Sequence, residues 1–117
     1  MANQSTMKRS VVLVEFPYDD LSDSKIRPAY ALTDSIGEYR HIVLALITSR
    51  IPTQPLITDL ILDATHPDFA ITGLKKPSTL RLNHLLTLRY SMIQRQLGEL
   101  STATHEQIVE KLYALLS

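Results

Sequence analysis

No cysteine occurs among the 117 residues, which excludes disulfides, thiolate nucleophiles and cysteine-ligated zinc or iron–sulfur sites, and is compatible with a reducing cytoplasm. Charge of neither sign is in excess: 12 Lys and Arg balance 12 Asp and Glu, whereas a non-specific nucleic-acid binder carries a clear basic surplus. Phosphate contacts, if any, must be local, gathered from Lys25, Arg27, Arg50, Lys75, Lys76, Arg81, Arg89 and Arg95 meeting on one face. The plainer reading is an ordinary charged surface. Long hydrophobic runs are missing too. Stretches such as Ile42 to Ile47 are far too short to cross a bilayer, and Met1 to Ser10 lacks the apolar stretch of a signal peptide. The chain is therefore expected to be soluble and cytoplasmic, with no membrane partner. A Gly-rich phosphate loop, an H-E-x-x-H helix and any recognisable His, Asp and Glu metal spacing are also absent, so no metal or other cofactor is expected.

What is present fits one domain. Residues 1–8 read as a disordered tail, within a polar, aperiodic stretch reaching Ser10, and 9–117 as a single folded unit. Val11 to Phe16 is β-branched and aromatic and reads as a first strand, followed by a polar loop from Tyr18 to Ser24 with three aspartates. Pro28 to Thr33 reads as a second strand, with Pro28 at its first position, where the missing donor is tolerated. Tyr39 to Ile47 is the clearest strand, its unbroken apolar run predicting burial on both faces. Leu56 to Leu62 suits a strand or a short helix, and His66 to Gly73 a turn and one helical turn closed by glycine. Strands follow at Ser78 to Leu88 and Met92 to Leu97. Ser101 is an N-cap for a final helix with Ile108, Val109, Leu112, Leu115 and Leu116 on one stripe. Five or six strands and a terminal helix describe a mainly β protein, a strongly bent sheet or partly open barrel.

Two strings carry chemistry. Lys25-Ile26-Arg27-Pro28-Ala29 and Ile47-Thr48-Ser49-Arg50 each sit at an end of a strand-like run. An arginine beside a threonine hydroxyl can hold a phosphate, stabilise charge developing on it and guide a proton without a metal. Taken singly, Arg27 reads as a surface arginine beside a proline, and Thr48 as an ordinary β-branched strand end. The histidines offer a rival acid and base pair, since imidazole titrates near neutrality. His41 and His84 read as packed strand residues, and His66 and His105 as lying on exposed loop or helix surface.

Val11 to Tyr18, Ser24 to Ala29, Ile47 to Arg50, Gly73 to Leu82 and Arg95 to Ser101, in that order, resemble the MazF/PemK family of toxin endoribonucleases. The resemblance covers nearly everything after Met7. It implies a homodimeric, SH3-like barrel of the MazF/PemK/CcdB type that acts as the toxin of a type II toxin–antitoxin system, cutting single-stranded RNA and neutralised by a cognate antitoxin. The family's catalytic arginine and threonine fall on Arg27 and Thr48. Ser49, Ser78 and Arg81 fall in segments similar to the family's and are RNA-groove candidates, as are Lys25 and Arg50 in the two strings. Arg9-Ser10 stands where relatives often have Gly-Asp, and Asn83 where aspartate is common. The polar Asp19–Asp23 loop is expected to move over the groove. Two other functions remain open: a toxin-like barrel that binds a protein such as DNA gyrase without cleavage, and a non-catalytic binding module.

Overall fold

The computed structural model describes residues 7–16 and 25–117. The Tyr18–Ser24 loop, and with it the expected movement over a groove, lies outside the described residues. The elements are β1 (Ser10–Phe16), β2 (Lys25–Ala31), β3 (His41–Thr48), β4 (Asp59–Leu62), α1 (Phe69–Thr72), β5 (Ser78–Arg89), a 3-10 turn (Tyr90–Met92), β6 (Ile93–Glu99) and α2 (Thr102–Leu116). All strands pair antiparallel in one sheet of order β4-β5-β3-β2-β1-β6. The fold is mainly β, as the sequence predicts, and the sheet stays open, with β4 and β6 at its edges.

The double-sided burial expected of β3 is observed. Even-numbered Ile42 and Leu44 pack with Val12, Val14, Ala29 and Ala31 in one core, while odd-numbered Ala45 and Ile47 join Val11, Tyr30, Leu62 and Leu80 in the other. Successive strand residues face opposite sides, so one run feeds two cores. α2 closes the second core with Ile108 and Leu112. The rest of its expected stripe is more open, Val109, Leu115 and Leu116 being exposed. β5 changes register against β3 between Leu85–Ala45 and Arg81–Leu46, leaving Leu82, Asn83 and His84 without β3 partners. This bulge bends β5, and Leu82 N–H is taken up by the Thr58 carbonyl at 3.1 Å.

Proline 28 lies inside β2 rather than at its start. It pairs with Leu13 of β1, whereas the β2–β3 ladder ends one residue later, at Ala29–Leu46. A proline offers no N–H to a ladder, and this one falls where β2 parts from β3.

Of the stretch expected to be a tail, Met7 to Arg9 are anchored to the folded chain. Met7 is buried, and the Met7 and Lys8 amides donate to Asp34 Oδ1 at 2.8 and 2.9 Å. Arg9, at φ 78°, donates its amide to the Ala31 carbonyl and Nη1 to the Leu100 carbonyl, and its own carbonyl accepts from Leu100 N–H.

Two contacts fix the α1 region against the rest. Asp68 Oδ2 accepts from Ser101 N–H and Ser101 Oγ–H, both at 2.9 Å, while Ser101 Oγ caps α2 by accepting from Thr104 N–H. Behind α1 the backbones of Gly73 and Gly98 are in close approach: a Cβ on Gly73 would strike the Leu97 carbonyl, and one on Gly98 the Ile71 carbonyl. Gly73 is also left-handed, at φ 75°. Among the described residues no helix is long and apolar enough to span a membrane.

Burial raises the Asp68 carboxyl, but its hydrogen bonds to Ser101 and Thr104 outweigh that and hold it below its ordinary value. Its stabilisation is complete above the unfolded value near ~3.9 and is lost as pH falls through the lower native value. Asp68→Ala is expected to lower unfolding stability by about 2 kcal/mol at pH 7. In urea titrations, the gap from wild type should shrink progressively below about pH 4.

Candidate functional site

Parity carried along β2 and β3 decides where the two chemical strings point. Ala29 and Leu46 are cross-strand partners on the first core's side. Arg27 lies two residues beyond Ala29 and opposite Val14, another member of that core. Thr48 lies two residues beyond Leu46, opposite Thr79 of β5. Both side chains therefore project from the same face, past the last β2–β3 pair, where Arg27 is exposed and Thr48 half-buried.

Thr48 is held by its own turn. Its Oγ1 accepts from Arg50 N–H at 3.3 Å, and the Arg50 carbonyl accepts from the buried Thr79 hydroxyl at 2.8 Å. A hydroxyl whose oxygen takes a backbone N–H keeps its own proton for another acceptor. Ser49 and the Arg50 side chain are exposed beside it. Lys25 pairs with Phe16 at the outer end of β2, and its side chain lies outside the described residues.

Arg81, an RNA-groove candidate, is engaged in an ion pair. Its Nε lies 3.2 Å from Oδ1 of Asp59, whose side chain is fully buried, and Asp59 Oδ2 accepts from Leu56 N–H. The guanidinium neutralises a carboxylate under the sheet edge, a charge balance that the sequence separation of the two residues conceals.

On the opposite face from Arg27, the cross-strand row Arg95–Leu13–Pro28 floors a cleft of about 270 Å3. The chain leaving α1 overhangs it with Leu74, Lys75 and Lys76, and Ser49 and Ser78 complete its wall. Ser78 is buried and donates to the Lys76 carbonyl at 2.8 Å, which ties the lysine turn to the start of β5. Lys75, Lys76 and Arg95 are thus gathered from the basic set noted in the sequence. Arg89 is not, since it stacks over Tyr39 at 4.9 Å and pairs with His41.

The histidines are dispersed. His41 begins β3, roughly 20 Å from Thr48 at ~3.3 Å per residue. His84 lies exposed in the β5 bulge, and His66 Nδ1 accepts from Asp68 N–H at 2.9 Å. His105, expected on exposed helix surface, is half-buried and shares a 2.6 Å hydrogen bond with the buried Tyr30 hydroxyl. Burial chiefly, aided by Lys8 and Arg9, lowers its pKa, while burial raises that of Tyr30. The pair has a packing role under α2.

Over residues 7–116 the chain matches the family described as "PemK-like, MazF-like toxin of type II toxin-antitoxin system". No curated protein sequence matches it. Among solved structures it resembles the Mycobacterium tuberculosis toxin MazF-mt6, at 21% identity and TM-score 0.68 over 91% of this chain and 94% of that one. It also resembles a mycobacterial structure described as an endoribonuclease in complex with its cognate antitoxin, at 15% identity and TM-score 0.67 over 94% and 93% of the two chains. At these identities the likeness speaks for the fold.

Removing the Arg81 guanidinium strands a buried carboxylate with one amide donor. Arg81→Ala is therefore expected to cost about 3 kcal/mol of unfolding free energy, read as a lower urea midpoint at unchanged slope. A midpoint equal to wild type would return Arg81 to the list of free surface cations.

Proposed function

The chain belongs to the PemK-like, MazF-like toxins of type II toxin–antitoxin systems, and from that premise we propose that it is a sequence-specific, metal-independent endoribonuclease acting on single-stranded RNA. The observation that carries this reading is the shared face of Arg27 and Thr48 beyond the last β2–β3 pair.

RNA brings its own nucleophile. Attack of the 2′-hydroxyl on the adjacent phosphorus leaves a 2′,3′-cyclic phosphate and a 5′-hydroxyl, so the protein need only orient the phosphate and stabilise the crowded phosphorane. Arg27 supplies a forked, permanently charged donor to the non-bridging oxygens. Thr48 donates its hydroxyl proton to the same phosphate while Arg50 N–H holds its oxygen. Arg27's part is electrostatic, because a guanidinium with a pKa above roughly 12 is a costly base near neutrality. Ser49 and Arg50, next to Thr48 in sequence, and Lys25, two residues before Arg27, are the accompanying RNA-binding candidates. In the cell such an enzyme works in the cytoplasm as a homodimer. Its cognate antitoxin would be an acidic and apolar segment that folds on this surface and displaces RNA.

Incubated with a long single-stranded RNA in excess chelator, the purified protein is expected to give discrete cuts with cyclic-phosphate and 5′-hydroxyl ends. Arg27→Ala and Thr48→Ala should each stay folded and cut at least about a hundredfold more slowly. Wild-type rates in either variant would remove that residue from the mechanism, and intact RNA with wild-type protein would remove the ribonuclease reading altogether.

A further inference from the structure

Thr79 is a fully buried polar residue on β5, between β4 and β3, and its hydroxyl has no part in the chemistry assigned to Arg27 and Thr48. In register it faces Ile61 of β4 and Thr48 of β3. Thr48–Thr79 is the last pair of the β3–β5 ladder, and directly opposed residues project from the same face of a sheet with Cβ atoms about 5 Å apart. Two threonines therefore stand side by side where β3 ends, one half-buried and the other sealed from solvent. A sealed hydroxyl needs a partner inside the protein. Its partner is the chain that leaves Thr48.

Arg50 is held on both sides of its Cα. Its N–H donates to Thr48 Oγ1 at 3.3 Å, and its carbonyl accepts from the Thr79 hydroxyl at 2.8 Å. The two bonds are unequal. The first is long for N–H···O, exposed and open to competition from water, whereas the second has an ordinary O–H···O length and is partly buried. The Thr79 bond is thus the one that fixes the Arg50 turn against the sheet, and the turn keeps an N–H aimed at Thr48. A threonine side chain has three staggered positions, and the observed one receives that N–H. While its oxygen accepts, the Thr48 proton is directed to another acceptor. Without the Thr79 hydroxyl the Arg50 carbonyl loses this donor, the turn is released, and Thr48 loses the donor that orients it.

We propose that Thr79 is a positioning residue for RNA cleavage: through the Arg50 turn, its buried hydroxyl holds the Thr48 hydroxyl in the orientation that presents a proton to the scissile phosphate. The role rests on the ribonuclease reading. Because Thr79 is sealed from solvent and touches no RNA, its loss acts on the rate of the chemical step and not on the contacts that bind RNA.

The test is single-turnover cleavage of a long single-stranded RNA by a saturating excess of protein. Wild type is compared with Thr79→Val, Thr79→Ser, Thr48→Ala and the Thr48→Ala/Thr79→Val double variant, each under conditions where a urea titration shows it folded. Valine keeps the shape and deletes the hydroxyl, while serine keeps the hydroxyl. Thr79→Ala repeats the deletion with less bulk should the valine variant not fold. Thr79→Val is expected to cut about tenfold more slowly and to bind a short 2′-O-methylated RNA, which cannot be cut, as tightly as wild type. Thr79→Ser should cut at close to the wild-type rate. The double variant should be no slower than Thr48→Ala, because a residue acting through Thr48 has nothing to orient once that hydroxyl is gone. Wild-type rates in Thr79→Val, a loss confined to affinity, or serine as slow as valine would each overturn the role. So would an equal further loss on the Thr48→Ala background, which would show Thr79 acting through something else. These results remove Thr79 alone and leave Arg27 and Thr48 standing, whereas RNA left intact by wild-type protein would sink the ribonuclease reading and this role together.

Discussion

Burial of the same three strands on both faces is the constraint from which the remainder of this structure follows. β1, β2 and β3 have a core above and a core below, so each residue along them is committed by its parity to one or the other. Inside the sheet that commitment is satisfied by Val12, Ala29 and Leu44 on one side and Val11, Tyr30 and Ala45 on the other. At the strand ends the cores run out before the alternation does. The polar residues there inherit directions they did not choose: Arg27 and Thr48 emerge together on one face, while Pro28 opens onto the other. A one-residue slip of β2 against β1 would exchange these sides.

The second face depends on how α1 is held. Asp68 is fastened to the N-cap of α2, and the backbones at Gly73 and Gly98 touch where no side chain fits. These contacts come from segments remote in sequence, and together they place the Lys75–Lys76 turn above the Arg95–Leu13–Pro28 row. Arg27 and Thr48 thus stand on one side of the strand end, and a basic, apolar-floored hollow opens on the other.

Local patterns were legible where one period dominated. The apolar run at Ile42–Ile47 announced a doubly buried strand, Ser101 its helix, and Gly73 the end of a helical turn. Pro28 misled at the boundary, because proline is ordinarily a strand-edge residue and the parting of β2 from β3 beside it is a tertiary event. Met7 to Ser10 read as a tail because their anchors, Asp34, Ala31 and Leu100, are distant and their own sequence has no period. Val109, Leu115 and Leu116 matched a helical stripe that the core is too short to cover in full.

The sequence by itself determined the classes of chemistry available: no thiol, no charge surplus, and an arginine and a threonine at strand ends in strings that resemble a toxin family. It also determined the strand alternation, since that is a property of adjacent residues. Which cations remain available for a phosphate was decided only by tertiary structure. Arg81 is paired with a buried Asp59, Arg89 is stacked over Tyr39, and Lys75, Lys76 and Arg95 converge on one cleft. The reason is physical: a charge's role depends on what lies within a few ångströms of it, and in a sheet of order β4-β5-β3-β2-β1-β6 those neighbours come from distant parts of the chain.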